Sequence, residues 1–263
     1  MPKIKDVGRH SKLIMEMAKN DFKTKFIGSK IGVAWGFIQP LVTIILYWIV
    51  FEVGFKSSKV EGNFPFVLWL LPGMVPWFFM SDAWMAATNS LSEYSFLVKK
   101  VVFPIGILPV VKIMSSFFVH IVFIDVMLVI YALYGYSLKW TYFQIFYYII
   151  CEMILLYALS IITSALFVFL RDVVQVISIL FQIFFWTLPI VWNPEKLPYL
   201  MAMILKLNPL YYIIEGFRNM IIRDEWFFER PLFTTYFWIV TLILLTIGLK
   251  INKKLKPYFA DIL

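Results

Sequence analysis

The sequence is poor in the groups that carry most enzymatic and metal chemistry. Cysteine occurs once, at Cys151 inside an apolar run, which excludes an internal disulfide and a thiolate metal cluster and reads as a small packing residue. Histidine occurs twice, at His10 and His120, with no H-E-x-x-H or paired-histidine spacing, and no G-x-S-x-G marks a nucleophile elbow. No G-K-[ST] occurs either, so a phosphate-cradling Walker loop is absent. If ATP drives this protein, another chain binds it. Charge is scarce as well: 15% of residues are charged, against about 25% in ordinary soluble domains.

What fills the chain instead is apolar. Of 263 residues, 62% are hydrophobic and 19% aromatic, and the mean hydropathy is +0.83. A soluble domain holds about 45–50% apolar residues, so the solvent for most of this chain is a bilayer. Six stretches approach the roughly 20 apolar residues that a spanning helix needs. They are Val33 to Val53, Phe64 to Ala87, Ile107 to Tyr134, Tyr142 to Leu170, Val173 to Trp192 and Leu232 to Leu249.

The formal charge of +8 sits at the ends of these runs rather than on a soluble basic face, which argues against a nucleic-acid partner. Two thirds of the basic residues fall in residues 1–32, in the Ser90–Gly106 loop with Lys112 just beyond it, in the Arg171-Asp172 turn and in the tail from Lys250. The positive-inside rule then places both termini in the cytosol. The first 30 residues carry no apolar core of the kind that a secretory signal needs, so they are expected to be retained.

The expected organisation is a single transmembrane domain over residues 1–263. A cytosolic amphipathic segment covers 1–32, spans one to five cover 33–192, an outer segment covers 193–231, and the sixth span with a cytosolic tail covers 232–263. Pro194, Pro198 and Pro209 break the outer segment. Reading it as a seventh span would send K-I-N-K-K-L-K outside, so short re-entrant helices are expected, an interfacial hairpin being the alternative.

Within this frame, Leu13, Ile14, Met17 and Ala18 share one face of an N-terminal helix, suited either to a lipid surface or to a cytosolic partner. Gly28, Gly32 and Gly36 recur at spacing four and would give a smooth helix face. Glu52, Asp82, Asp125 and Glu152 are acids within or near the spans, with His120 five residues before Asp125. They read either as a proton relay or as structural hydrogen-bonding groups. Trp69, Trp77, Trp140, Trp192 and Trp238 are expected at the interfaces. Phe181, Phe184, Phe185 and Trp186 form a band in the fifth span that suits a sugar path, tight packing or lipid contact equally.

Several segments resemble one family. In N-D-F-K-T-K-F-I-G-S-K-I-G-V-A-W-G-F-I-Q-P, Asp21, Lys23, Lys25, Ser29, Gly32, Trp35 and Pro40 occupy the places found in the membrane subunit of the ATP-binding-cassette exporters of polysaccharides. These include the O-antigen and teichoic acid permeases. V-V-F-P-I-G-I-L-P-V-V keeps the family's Phe103, Pro104 and Pro109 but replaces its charged pair with Ile105 and Gly106. F-L-R-D-V-V-Q-V keeps Arg171-Asp172, and L-N-P-L-Y-Y-I-I-E-G-F-R keeps Asn208, Pro209 and Arg218.

The resemblance implies an all-α integral membrane permease with six transmembrane helices, an N-terminal interfacial helix and re-entrant outer helices before the last span. It implies a homodimer in the cytoplasmic (inner) membrane of a bacterium, surrounded by membrane lipid and exporting a lipid-linked glycan. No cofactor is expected on this chain; ATP and Mg would belong to a separate cytosolic nucleotide-binding ATPase subunit. The implied coupling residues are Asp21, Lys23, Lys25, Lys99, Lys100, Phe103 and Pro104, with the Arg171-Asp172 turn. The implied outer gate surrounds Asn208, Pro209 and Tyr211. A drug or lipid exporter permease, an integral-membrane transferase of lipid-linked sugars and a secondary transporter are the competing readings.

Overall fold

A computed structural model describes residues 4–25, 27, 29–54, 59–60, 64–100, 103–193 and 198–263. The first helix, α1 (Ile4–Thr24), buries Ala18 and Asp21 and half-buries Leu13, Ile14 and Met17, the face that its periodicity predicts. It packs along the later helix Leu108–Leu133 and ends at a break, where Gly32 takes φ +59°. A right-handed helix cannot run through that left-handed residue, so no continuous glycine-lined face joins Gly32 to its neighbours. Gly28 itself lies outside the described residues.

The chain resumes in α2 (Trp35–Trp48), which contains Pro40 and widens into a π-type turn over Ile49–Gly54. Two short strands, β1 (Lys59–Val60) and β2 (Phe64–Pro65), pair antiparallel with Val60 opposite Phe64. Then come α3 (Phe66–Glu93), the single turn α4 (Ser95–Val98), α5 (Leu108–Leu133) and α6 (Gln144–Phe169). The remaining helices are α7 (Val173–Thr187), α8 (Tyr199–Lys206), α9 (Pro209–Arg218), α10 (Pro231–Leu255) and the terminal turn α11 (Phe259–Ile262).

Among the described residues five helical stretches are long and apolar enough to cross a bilayer: Gly32–Glu52, Phe66–Glu93, Ile105–Leu133, Trp140–Phe169 and Pro231–Ile262. They coincide with five of the six expected spans, and the chain is a multi-pass membrane protein. The fifth expected span is shorter than its apolar run. Its helix stops at Thr187, about 22 Å long at 1.5 Å per residue, and Leu188 to Val191 leave it as buried irregular chain. After that, α8 and α9 meet at 98°, a sharp bend within the segment expected to be re-entrant.

The central helix is α3, packed against α5 and α6, and it carries most of the core: Leu68, Trp69, Leu71, Met74 and Met80 are nearly inaccessible. Trp69 and Trp77 therefore belong to the core rather than to an interfacial belt, whereas Trp140 is 80% exposed. Pro72 within α3 has no N–H for the Leu68 carbonyl one turn earlier, and the Tyr131 hydroxyl of α5 donates to that oxygen instead. Thr88 and Thr163 share a 2.7 Å hydrogen bond between α3 and α6. At Gly248 of α10, a Cβ would come within 2.4 Å of Ile161, so only glycine allows α10 to lie this close to α6.

A second cluster gathers at the end of the bundle where α1 meets the C-terminal turn. Phe259 is buried there among Leu91, Val98, Leu108, Ala165 and Val168, with Met17, Phe103 and Leu263 packed around them.

Candidate functional site

The expected coupling residues converge on that same end. Asp21 is buried, and its Oδ1 accepts hydrogen bonds from Lys112 Nζ at 2.6 Å and from the Tyr94 hydroxyl at 2.8 Å. Lys112 also pairs with Glu93. One lysine of α5 thus joins α1 to the last residue of α3. Burial, then the hydrogen bond to Asp21, push the Tyr94 phenol well above the usual tyrosine range, so it stays a donor.

Lys25 reaches Asp82 of α3 at 2.7 Å, and Ser116 of α5 donates to the other oxygen of that carboxylate at 2.6 Å. Lys23, Lys99 and Lys100 are exposed, as are Arg171 and Asp172. Arg171 donates to Ser92 at 2.8 Å, bringing the turn after α6 to the end of α3. Phe103 and Pro104 are half-buried, and Ile105 beside them is buried in the terminal cluster. The patch therefore combines buried struts with an exposed basic rim. Lys112, Glu93 and Tyr94 escaped the sequence reading, where Lys112 counted only as a topogenic charge.

The aromatic band of α7 divides. Phe181 meets Trp77 and Trp84 edge-on at 6.0 and 5.5 Å, and Phe185 lies 5.4 Å from Tyr47 of α2. Phe184 packs against the core, while Trp186 is 61% exposed. Gln175 and Gln182 share that exposed face of α7 with Val176, Ile179 and Ile183.

Of the intramembrane acids, Glu152 lies 3.1 Å from His120, both side chains wholly inaccessible, with the imidazole stacked on Phe79 at 4.4 Å. Asp125 is exposed on the opposite side of α5, so His120 is paired with Glu152 and not with Asp125. Glu52 accepts the Trp48 indole N–H one turn back. Among the described residues no three His, Cys, Asp or Glu side chains converge as metal ligands.

At the opposite end of the bundle, Asn208 caps α9, its side chain accepting from the Leu210 N–H at 3.0 Å, and Pro209 takes the first helical position. Tyr211 projects into a 610 Å³ cavity. Asp224 holds a left-handed backbone at φ 59°, and its carboxylate takes Lys139 at 2.5 Å and Thr141 at 3.1 Å. Gln144 adds bonds to the Glu225 carbonyl and the Phe227 N–H, fastening the turn after α9 to the start of α6.

Beneath this cavity lies Arg218, fully buried. Its guanidinium lies 3.7 Å from the Trp69 ring centre, donates to Ile190 O and Glu215 Oε1 at 2.8 Å each, and also reaches the carbonyls of Pro189 and Trp69. The irregular chain after α7 exposes carbonyls that no helix satisfies, and this one fork satisfies two of them. The sequence signal was Glu215 and Arg218 at i, i+3 in an otherwise apolar helix.

The model of the ABC-2 type transporter family matches residues 12–222. Two proteins of Klebsiella pneumoniae, each called O-antigen export system permease protein RfbA, are 27% identical over 258 residues, 95% of this chain and 95% of each relative. The Myxococcus xanthus protein of the same name is 23% identical over 217 residues, 82% of both chains.

Proposed function

The chain belongs to the ABC-2 type transporter family, and from this we propose that it is the permease of an ATP-driven exporter of a lipid-linked polysaccharide of the O-antigen or teichoic acid type. The observation that carries the substrate class is similarity over nearly the whole length to permeases named for O-antigen export. A separate cytosolic subunit binds and hydrolyses ATP with Mg. Both termini face the cytosol, and the membrane is the bacterial inner membrane, as the distribution of basic residues supports.

In this reading the ATPase docks on the exposed rim of Lys23, Lys99, Lys100, Arg171 and Asp172. Lys25, Phe103 and Pro104 lie just behind the rim, and Asp21 passes the load inward through Lys112 to α5 and through Glu93 to α3. A polar amide on the outward face of a membrane helix is costly in lipid, so Gln175 and Gln182 favour a second copy of the chain and a hydrated path between the two. Trp186 faces that path, with Phe181, Phe184 and Phe185 as its backing. Asn208, Pro209 and Tyr211 belong to the exit.

Depleting the protein from its native cell is expected to leave a lipid-linked polymer accumulated inside and to remove it from the surface. Transport by the purified, reconstituted chain with no ATPase present would overturn the mechanism.

A further inference from the structure

The cavity at the exit end has a lining that neither coupling nor span packing requires. It measures 610 Å³, within the range of about 300–1,000 Å³ typical of small-molecule sites. Part of its lining is aromatic: Tyr211, Trp226, Phe227, Phe233 and Tyr236. Interleaved with these rings are polar groups, Glu215, Asn219, Arg223, Glu225 and Arg230, with Glu215 one turn from Tyr211 on α9.

Two of the aromatic rings, Phe227 and Tyr236, are fixed by packing or a hydrogen bond. Phe227 is stacked at 4.0 Å on Tyr147, whose hydroxyl bonds to Tyr212 at 3.0 Å and accepts the Trp238 indole N–H at 3.1 Å. Tyr212 continues to Thr234 at 3.0 Å, and Tyr236 donates to Leu207 O at 2.8 Å. The Tyr211 ring, by contrast, stacks on no other aromatic ring among the described residues, and its hydroxyl has no described hydrogen-bond partner.

Charge in the polar lining is largely spent. Arg223 is 2.9 Å from Glu215 and donates to Asn219 at 2.6 Å, and Arg230 is 2.6 Å from Glu225. Lys206 alone has no carboxylate partner among the described residues, and it lies over the Phe233 ring at 5.2 Å. A phosphate headgroup calls for several uncommitted cations. Paired carboxylates, amides and guanidinium groups interleaved with aromatic rings suit a ligand that carries many hydroxyls as well as C–H faces.

We propose that this cavity, one in each subunit, is a saccharide subsite that holds one or two sugar rings of the polymer as it leaves, with the Tyr211 ring as the stacking platform. The assignment rests on the polysaccharide reading above. It adds a binding site within each subunit, apart from the path between two copies.

The test uses the full chain in nanodiscs and, as probe, short oligosaccharides cut from the surface polysaccharide of the cell that makes the protein, with binding measured by calorimetry. Tyr211→Ala is expected to weaken binding about tenfold and Tyr211→Phe to restore it, as ring stacking requires. Phe233→Ala gives a second reading should Tyr211→Ala prove unstable. Binding of the probe unaffected by Tyr211→Ala or Phe233→Ala, no binding at all, or displacement of the probe by anionic phospholipid would each overturn the subsite. Deleting the gene tests the parent reading separately. If surface polysaccharide persists in the deletion strain, that reading fails, whereas loss of surface polysaccharide with no Tyr211-dependent binding refutes the subsite alone.

Discussion

Lys112 Nζ of α5 lies 2.6 Å from Asp21 Oδ1 of α1, and both side chains are more than nine-tenths buried. The pair is the only described ion pair that fastens α1 to α5, and Glu93 shares the lysine. Removing Asp21 leaves the buried Lys112 with the half-exposed Glu93 as its remaining carboxylate partner. Asp21→Leu is therefore expected to cost about 3–5 kcal/mol and to raise the protease sensitivity of α1. The double variant Asp21→Leu/Lys112→Leu should lose less than Asp21→Leu alone, because two apolar groups replace a buried charge left with only a half-exposed partner. Thermal unfolding in detergent measures both.

Arg218 is expected to tolerate no substitution, lysine included. A lysine ammonium cannot present the planar fork that reaches Ile190 O and Glu215 while lying on the Trp69 ring. Arg218→Lys should lower the unfolding temperature markedly and Arg218→Met further still. Melting curves of the purified chain check the order.

Gly73 permits that arrangement from the other side, since a Cβ there would stand 2.6 Å from the Arg218 guanidinium and 3.1 Å from Ile190 O. Gly73→Ala is expected to cost about 1–3 kcal/mol through overpacking. In combination with Arg218→Met the two effects should be non-additive, because the closer of the two contacts disappears with the guanidinium. A double-mutant cycle reads the difference directly.

Tyr131→Phe removes the hydroxyl that serves the carbonyl freed by Pro72. The expected loss is about 1–3 kcal/mol, the cost of a buried acceptor left without a donor. Restoring a backbone donor with Pro72→Ala in the Tyr131→Phe background should recover part of it. Chemical unfolding of the two variants against the parent decides.

Lys23 and Lys25 separate coupling from folding. Lys23 is exposed, and the Lys25–Asp82 pair is partly open, worth about 0–1 kcal/mol. Lys23→Glu with Lys25→Glu should leave insertion intact while lowering the ATPase activity of the complex assembled with its partner. Unchanged ATPase stimulation would remove both residues from the interface.

Much of this architecture was legible in one dimension because the bilayer makes local composition decisive. Five spans, the buried face of α1 and the clustering of basic residues at one end follow from apolar run length, helical period and charge bias, each readable within about 20 residues. Resemblance added the family through short motifs such as Asp21 to Pro40. What the sequence could not decide is which side chain meets which across the bundle. Trp69 and Trp77 have the composition of belt residues but lie in the core, because α3 is enclosed by its neighbours. The glycine spacing suggested one helix face, and the left-handed Gly32 divides it. Pro189 holds Leu188 extended and ends the helix of the fifth apolar run at Thr187, but the irregular chain beyond it is satisfied only because Arg218, far along the chain, donates to the carbonyls of Pro189 and Ile190. Solvent sets where a helix can exist; only packing between distant segments decides where a backbone can afford to leave it.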